Sequence, residues 1–258
     1  MSWNTLAFRL AIALVPLIAI WSSSLLVFGA AHDPQLHVLR GAVVSVLVLA
    51  VVACLLRLDR LPWRVAGHQT LRDNLRAFAL GAALWLLPAL AGMAACIGLG
   101  WSSISLHSSP GTLFAALPLL ALGVFLFEAF PEELALRGYM QGLLARRTAQ
   151  WIALLLQAGL FTLFAWAIGA LDTAQQWVFI PCLGLILGYV RALSGNAWTG
   201  MGVHAAWMTT SQLIAGHFTV EGLETMHFIA FALLPSATIG AALGMLRPGF
   251  SWRTRTTA

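Results

Sequence analysis

Residues 113–145 read LFAALPLLALGVFLFEAFPEELALRGYMQGLLA, and this stretch decides the fold class. It is an apolar helical pattern interrupted only by Glu128, Glu132, Glu133 and Arg137. With a rise of about 1.5 Å per residue, one helix of this length is longer than a hydrocarbon core about 30 Å thick. Pro131 lies in its middle, where a proline breaks or kinks a helix. We therefore expect a long membrane-spanning segment with a break or a kink at Pro131.

The composition of the whole chain also indicates a membrane protein. The 258 residues are 60% hydrophobic and only 9% charged, whereas soluble domains are about 25% charged. Backbone groups in lipid must be satisfied within a helix or a closed barrel, and long continuous apolar runs favour helices. We predict an all-α polytopic membrane protein, with residues 1–258 in a single domain. We place about eight spans near residues 6–30, 39–56, 78–100, 113–145, 151–171, 177–193, 198–216 and 226–246.

The arginines predict the orientation of the chain. All 14 basic residues are arginines, and most lie in short segments between apolar runs, which is typical of topology signals and not of a nucleic-acid interface. With the N-terminus in the cytoplasm, most arginines lie on that side and most acidic loop residues lie outside. We expect a protein of the bacterial inner membrane with both termini in the cytoplasm. The arginines assigned to the cytoplasmic side are Arg57, Arg60, Arg64, Arg72, Arg76, Arg146, Arg147, Arg191, Arg247, Arg253 and Arg255.

The connection at residues 57–76 has two interpretations. Leu71, Leu75 and Phe78 recur at helical spacing, which favours a short interfacial helix. A solvated basic loop is the alternative.

The charged residues of the first stretch point to chemistry inside the membrane. An unpaired carboxylate at membrane depth costs a few kcal/mol. Glu133 and Arg137 are four residues apart, so they share a helix face and can pair, which leaves Glu132 free. If a new helix begins at Pro131, its free amide groups would favour both carboxylates. An ion pair that only fixes helix packing is the structural alternative.

His204 is the one histidine well inside a predicted span, at residues 198–216. A lone intramembrane histidine is usually a packing or hydrogen-bonding residue. Beside a buried pair of glutamates it becomes a candidate acid, base or oxyanion donor.

Glu132-Glu-Leu-Ala-Leu-Arg137-Gly resembles the first motif, Glu-Glu-x-x-x-Arg, of the CAAX-protease and bacteriocin-processing family, also called CPBP or Abi. Its members are glutamic-type intramembrane proteases with about eight helices and a catalytic cavity within the membrane. The resemblance runs over residues 113–212, which we take as the motif-bearing core. The family's second motif is Phe-x-x-x-His, and here Phe161 matches but Ala165 stands at the histidine position.

The third motif of the family is a histidine followed four residues later by asparagine or a variable residue. His204 matches it, and Met208 stands at the asparagine position. The run His204-Ala-Ala-Trp207 looks like the His-Ala-x-Trp signature of some members.

The resemblance implies a catalytic set of Glu132, Glu133, Arg137 and His204, with Ala165 at the position of an expected histidine. In such a mechanism Glu132 activates water, Arg137 holds Glu133, and His204 stabilises the oxyanion. Supporting or substrate-binding roles are implied for Glu128, Phe161, Trp207 and Met208. The chemistry needs no metal or cofactor, and no His-Glu-x-x-His spacing suggests zinc. The implied partners are the lipid bilayer and a membrane-anchored, lipidated or C-terminally tagged protein or peptide.

Ala165 leaves three explanations open. The histidine was replaced deliberately to inactivate the protein, or the chain is a natural member without protease activity, or Glu128 takes over as the second group. Beside an intramembrane endopeptidase, the sequence therefore leaves room for a non-catalytic binding or immunity partner. A transporter that uses the buried charges as an ion path is a third class. The oligomeric state stays open.

Overall fold

The computed structural model describes residues 2–29 and 33–256, in which eight long helices and two short strands follow each other. Two strands, β1 (Ser103–Leu106) and β2 (Phe218–Glu221), form a small antiparallel sheet. A 3₁₀ helix at Trp63–Ala66 precedes the third long helix. The long helices are α1 (Trp3–Phe28), α2 (Pro34–Leu58), α3 (Leu71–Gly98), α4 (Pro110–Arg147), α5 (Gln150–Ala167), α6 (Ala174–Ser194), α7 (Ala197–His217) and α8 (Leu223–Leu246).

Seven of these helices are long and apolar enough to cross a membrane. The eighth, α7, has the same length as α6, but it carries more polar residues, among them Thr199, His204 and Gln212. The prediction of an all-α polytopic membrane protein is confirmed.

The pairing of β1 with β2 indicates that α7 also crosses the membrane. The two strands pair from Ser103 with Glu221 to Leu106 with Phe218, so both lie on one side of the bilayer. An even number of crossings must therefore separate them along the chain. The helices between them are α4, α5, α6 and α7, and the number is even only if α7 spans too. Eight spans in the described part of the chain satisfy this condition.

Contacts at the opposite membrane edge obey the same rule. The Ala197 amide donates to the Gly67 carbonyl, and four helices, α3 to α6, lie between these residues. The Trp151 amide donates to the Trp252 carbonyl, again across four helices. Arg9, in α1, binds Asp59, just after α2, at 2.8 Å. Every second connection therefore gathers at this edge, which is the edge to which the sequence assigned the arginines.

The connection at residues 57–76 contains an irregular stretch followed by the beginning of α3. Residues 59–70 form an irregular stretch around the 3₁₀ helix. Thr70 then caps α3, and its hydroxyl accepts a hydrogen bond from the Asp73 amide at 3.3 Å. Because neither glycine nor proline interrupts residues 71–78, the helical pattern noted there continues into the third span as the first turns of α3.

The prediction that a new helix begins at Pro131 is wrong, and the proline instead lies between two distorted stretches of one helix. Helix α4 continues through it, with π-helical turns at Phe125–Ala129 and Glu133–Met140. The Phe130 amide, for example, bonds to the Phe125 carbonyl five residues back. A proline lacks an amide hydrogen and crowds the carbonyl four residues before it, and a widened turn relieves this crowding. No free helix start therefore presents amide groups to Glu132 and Glu133.

Candidate active site

The buried charges of α4 form the centre of the candidate site. Arg137 Nη1 donates to Glu133 Oε1 at 2.9 Å, and both side chains are wholly buried. The ion pair that the spacing predicts is therefore present. The other side of the guanidinium lies on the Phe161 ring of α5, with Cζ 4.1 Å from the ring centroid. Arg137 is held between a carboxylate and an aromatic face, which suits a desolvated cation.

His204 reaches the same carboxylate from α7. Its Nδ1 lies 3.3 Å from Glu133 Oε1, and the side chain is almost fully buried. Gly200, one turn earlier in α7, lies against the other carboxylate oxygen, because a β-carbon there would be 2.6 Å from Oε2. Glu133 thus lies between Arg137, the imidazole and the backbone of α7, and α7 approaches α4 closely because position 200 has no side chain.

The contact with Glu133 restricts what the His204 ring can do. An ionised carboxylate only accepts hydrogen bonds, so Nδ1 must carry the proton in this contact. The second ring nitrogen, Nε2, then accepts hydrogen bonds in the neutral ring and donates only when both nitrogens are protonated. Glu133 therefore fixes the tautomer of His204 and leaves Nε2 for another partner.

Glu132 differs from the other two acids of the cluster. Glu128 Oε1 accepts a hydrogen bond from Gln212 Nε2 at 2.9 Å, and Glu133 is bound as described. Glu132 is mostly buried and makes no side-chain hydrogen bond with any residue that the structure describes. It directly precedes Glu133 and follows Glu128 by four residues in α4. Glu132 is therefore the acid of this cluster whose oxygens are available to a water molecule or substrate.

Ala165 and Phe161 lie one turn apart on α5, so they share the helix face that meets Arg137. Ala165 is buried, and its methyl group offers neither donor nor acceptor. Position 165 thus faces the charged cluster without contributing to its chemistry.

The remaining sequence candidates lie on α7. The Trp207 ring packs against Phe179 at 4.9 Å and lies 6.1 Å from the His204 ring. Met208 is half-buried, and its thioether provides at most a weak acceptor at the position where the family has its variable residue.

An apolar cavity of about 540 Å³ is lined by residues that neighbour members of the cluster along α4 and α7. It lies between α3, α4 and α7 and is closed at one end by the two strands. Phe125 lies one turn before Glu128, and Ala205 directly follows His204, so the cavity walls are continuous with the helices that carry the charges. Only Thr209 and Thr210 bring polar atoms among its lining side chains.

Sequence reasoning missed Gly200, Gln212 and this cavity. Gly200 could have been predicted to lie at the site, because it precedes His204 by one helical turn on the same face. The Gln212–Glu128 contact joins residues 84 positions apart and has no local signal. Among the described residues, no group of three or more His, Cys, Asp and Glu side chains is arranged to hold a metal ion.

Residues 114–210 match the family model described as type II CAAX prenyl endopeptidase Rce1-like. No curated protein sequence matches the chain significantly. The family match contains every motif residue from Glu128 to Met208, and it confirms the resemblance to the CAAX-protease and bacteriocin-processing family. The protein is thus similar to membrane proteases, whose substrates are proteins embedded in the bilayer.

Proposed function

We propose that the protein is an intramembrane glutamic endopeptidase, which cleaves a peptide bond of a membrane-anchored protein or peptide. The observation that carries this proposal is the burial of Glu132 together with its lack of a described hydrogen-bond partner. Glu132 is a buried carboxylate without a hydrogen-bond partner among the described residues, beside an ion pair and a histidine, within the segment that matches the CAAX endopeptidase model. Burying an acid inside a membrane helix without function would be costly.

The proposed reaction begins with a water molecule bound to Glu132. The carboxylate accepts a proton from the water while the oxygen attacks the peptide carbonyl carbon. His204 Nε2 donates a hydrogen bond to the resulting oxyanion, which requires the doubly protonated ring because Nδ1 faces Glu133. The C–N bond then breaks, and Glu132 returns its proton to the departing amine.

In this mechanism the ion pair positions groups and does not exchange protons. Arg137 holds the Glu133 carboxylate from one side, and Glu133 in turn orients the His204 ring. Phe161 keeps the guanidinium in place. Arg137 and Phe161 thereby act on the reaction through His204 and not by touching substrate.

The apolar cavity supports a lipidated or apolar substrate. A volume of about 540 Å³ lined almost entirely by apolar side chains accommodates a hydrocarbon chain or the side chains of an apolar helix. A cleavage site next to a lipid anchor, an apolar segment or a C-terminal sorting tail would lie beside Glu132. We further propose a location in the bacterial inner membrane with both termini in the cytoplasm, on the basis of the arginine distribution.

Ala165 supports a second candidate, a family member that binds membrane partners without cleaving them. Loss of one group that orients the attacking water lowers a rate by about 10²–10⁴-fold. If the histidine was replaced by engineering, or if Glu128 compensates for its loss, the natural protein would instead be a protease. These three explanations make different predictions for the reverse substitution.

The decisive experiment is Ala165→His in the purified protein, reconstituted with a panel of prenylated, acylated and transmembrane peptides. We expect cleavage to rise by about 10²–10⁴-fold and to disappear again when Glu132→Gln is added. Ala165→Asn, a polar side chain of similar size that does not take up a proton, serves as the matched control and is expected to stay near the original rate. An unfolding temperature for each variant shows that the buried position accepts the larger side chain.

The protease proposal fails if folded Ala165→His is inert on the whole panel and Glu132→Gln leaves the cellular phenotype unchanged. That pair of results favours the non-catalytic partner.

A further inference from the structure

A second cavity, of about 520 Å³, lies at the membrane edge to which the sequence assigned the arginines. It is formed where α4 and α6 end and α5 begins, beneath the C-terminal segment. It shares no lining residue with the acidic cluster. The polar side chains that line it belong to Arg64, Gln141, Arg146, Gln150, Arg191 and Thr256.

The charge of this cavity is entirely positive. Three arginines line it and no acidic residue does. The ion pairs of the described residues are Arg9–Asp59, Arg137–Glu133 and His204–Glu133, so none of them neutralises a cavity arginine.

Asp59 is an acid at the same edge, but it is engaged elsewhere. It is bound by Arg9 Nε at 2.8 Å and accepts a hydrogen bond from the Tyr139 hydroxyl at 2.6 Å. It lines a separate, smaller cavity with Arg146 and Arg147. The three arginines thus line one cavity that no acidic side chain lines, and an anion bound there would be attracted to all of them.

The guanidinium of Arg191 is fixed by the protein backbone. Its Nη2 donates to the Val65 carbonyl at 3.0 Å. Gly67, whose φ is +70°, packs so closely that a β-carbon there would lie 2.7 Å from Nε. Ordering the guanidinium in advance lowers the entropic cost of binding a ligand.

Gln141 adds an acceptor to this site. It is almost fully buried, and its Nε2 donates to the Gly188 carbonyl at 2.8 Å. Its Oε1 has no hydrogen-bond partner among the described residues. A buried acceptor of this kind normally finds a donor, such as a hydroxyl group.

We propose that this cavity binds a phosphate group, supplied by the headgroup of an anionic phospholipid or by free phosphate. Guanidinium groups bind phosphate oxygens in a fork geometry, and three of them surround one space here. The cavity lies at the ends of spans, at the depth of lipid headgroups, where basic pockets between helices bind anionic lipids. A glycerol headgroup would also supply a hydroxyl for Gln141. This site does not depend on protease activity.

The proposal is tested by measuring lipid binding to the protein with native mass spectrometry in detergent. The probe is dioleoylphosphatidylglycerol, and dioleoylphosphatidylcholine serves for comparison. Calorimetric titration with inorganic phosphate forms the second arm. We expect one tightly held phosphatidylglycerol and no comparable phosphatidylcholine. The double variant Arg64→Gln/Arg146→Gln should weaken that binding by about tenfold or more. Arg64 is exposed and Arg146 half-buried, neither makes a described ion pair, and the variant should therefore fold.

The double variant Arg72→Gln/Arg76→Gln removes the same two charges from exposed positions outside the cavity and is the matched control, expected to bind like the unmodified protein. Phosphatidylglycerol binding that phosphate does not displace identifies the lipid as the source. Saturable phosphate binding that is lost in Arg64→Gln/Arg146→Gln identifies the free anion. Equal binding in Arg64→Gln/Arg146→Gln and in Arg72→Gln/Arg76→Gln, for both probes, overturns the proposal.

Discussion

A β-carbon at Gly200 would lie 2.6 Å from Oε2 of Glu133. Real β-carbons do not approach an oxygen so closely, so the absence of a side chain at this position is a condition for the contact between α7 and α4. The same approach brings the His204 imidazole to the other carboxylate oxygen, one helical turn away.

Gly200→Ala should therefore displace Glu133 and destabilise the protein. Overpacking a buried contact costs about 1–3 kcal/mol, although alanine favours a helix by about 1 kcal/mol over glycine. We expect a lower unfolding temperature and, in an Ala165→His background, slower cleavage. Gly216→Ala, in the same helix with open space around it, is the control and should leave both unchanged or raise the stability slightly. Equal behaviour of the two variants would contradict the close contact.

Arg137→Met should leave the buried Glu133 carboxylate with the His204 imidazole as its one described partner. Removing one partner of a buried ion pair typically costs about 3–5 kcal/mol. The double variant Glu133→Gln/Arg137→Met should recover a large part of this loss, because no charge then remains buried without a partner. The free energy of unfolding, measured by denaturant titration in mixed micelles, gives the coupling between the two residues. Arg76→Met, on the exposed surface of α3, should change it by less than about 0.5 kcal/mol. Strict additivity of the two single changes would exclude a coupled pair.

The acids Glu128 and Glu132 should differ in importance. In the Ala165→His background, Glu132→Gln should reduce cleavage by at least about 10²-fold, since it removes the proposed base. Glu128→Gln should have a smaller effect, because Gln212 already occupies one of its oxygens. Rates with a saturating peptide substrate measure both. A similar loss from both variants would instead make Glu128 the second water-orienting group and explain how the chain tolerates Ala165.

The orientation of the chain should follow its arginines. Ser105→Cys, exposed in β1, should react with a membrane-impermeant maleimide on intact cells. Ser251→Cys, exposed near the other edge, should react only after the membrane is permeabilised. The native cysteines lie within helices α2, α3 and α6. Both labelling variants are made in a protein from which these cysteines have been removed, so that the background labelling is low. The reverse labelling pattern would place both termini outside.

Helical spacing in the sequence predicted much of the site, but it did not predict how the helices pack around it. Helical spacing alone gives the Glu133–Arg137 pair, because residues four apart share a face. The π turns on either side of Pro131 were not predictable in this way, since they depend on how the surrounding helices pack against α4. The pairing of β1 with β2 joins segments more than 100 residues apart, and each strand has only four residues. Such long-range contacts leave no periodic signal in the sequence.

The β1–β2 pair has a mechanical consequence. It joins the C-terminal ends of α3 and α7, and the hydrogen bond from the Ala197 amide to the Gly67 carbonyl joins their N-terminal ends, so the two helices are tied together at both ends. Because α3 and α7 are joined at both ends, we expect them to move together as one rigid unit. On the proposed function, we expect a polypeptide that arrives from the bilayer to reach Glu132 along α4, the third wall of the apolar cavity, and not between α3 and α7.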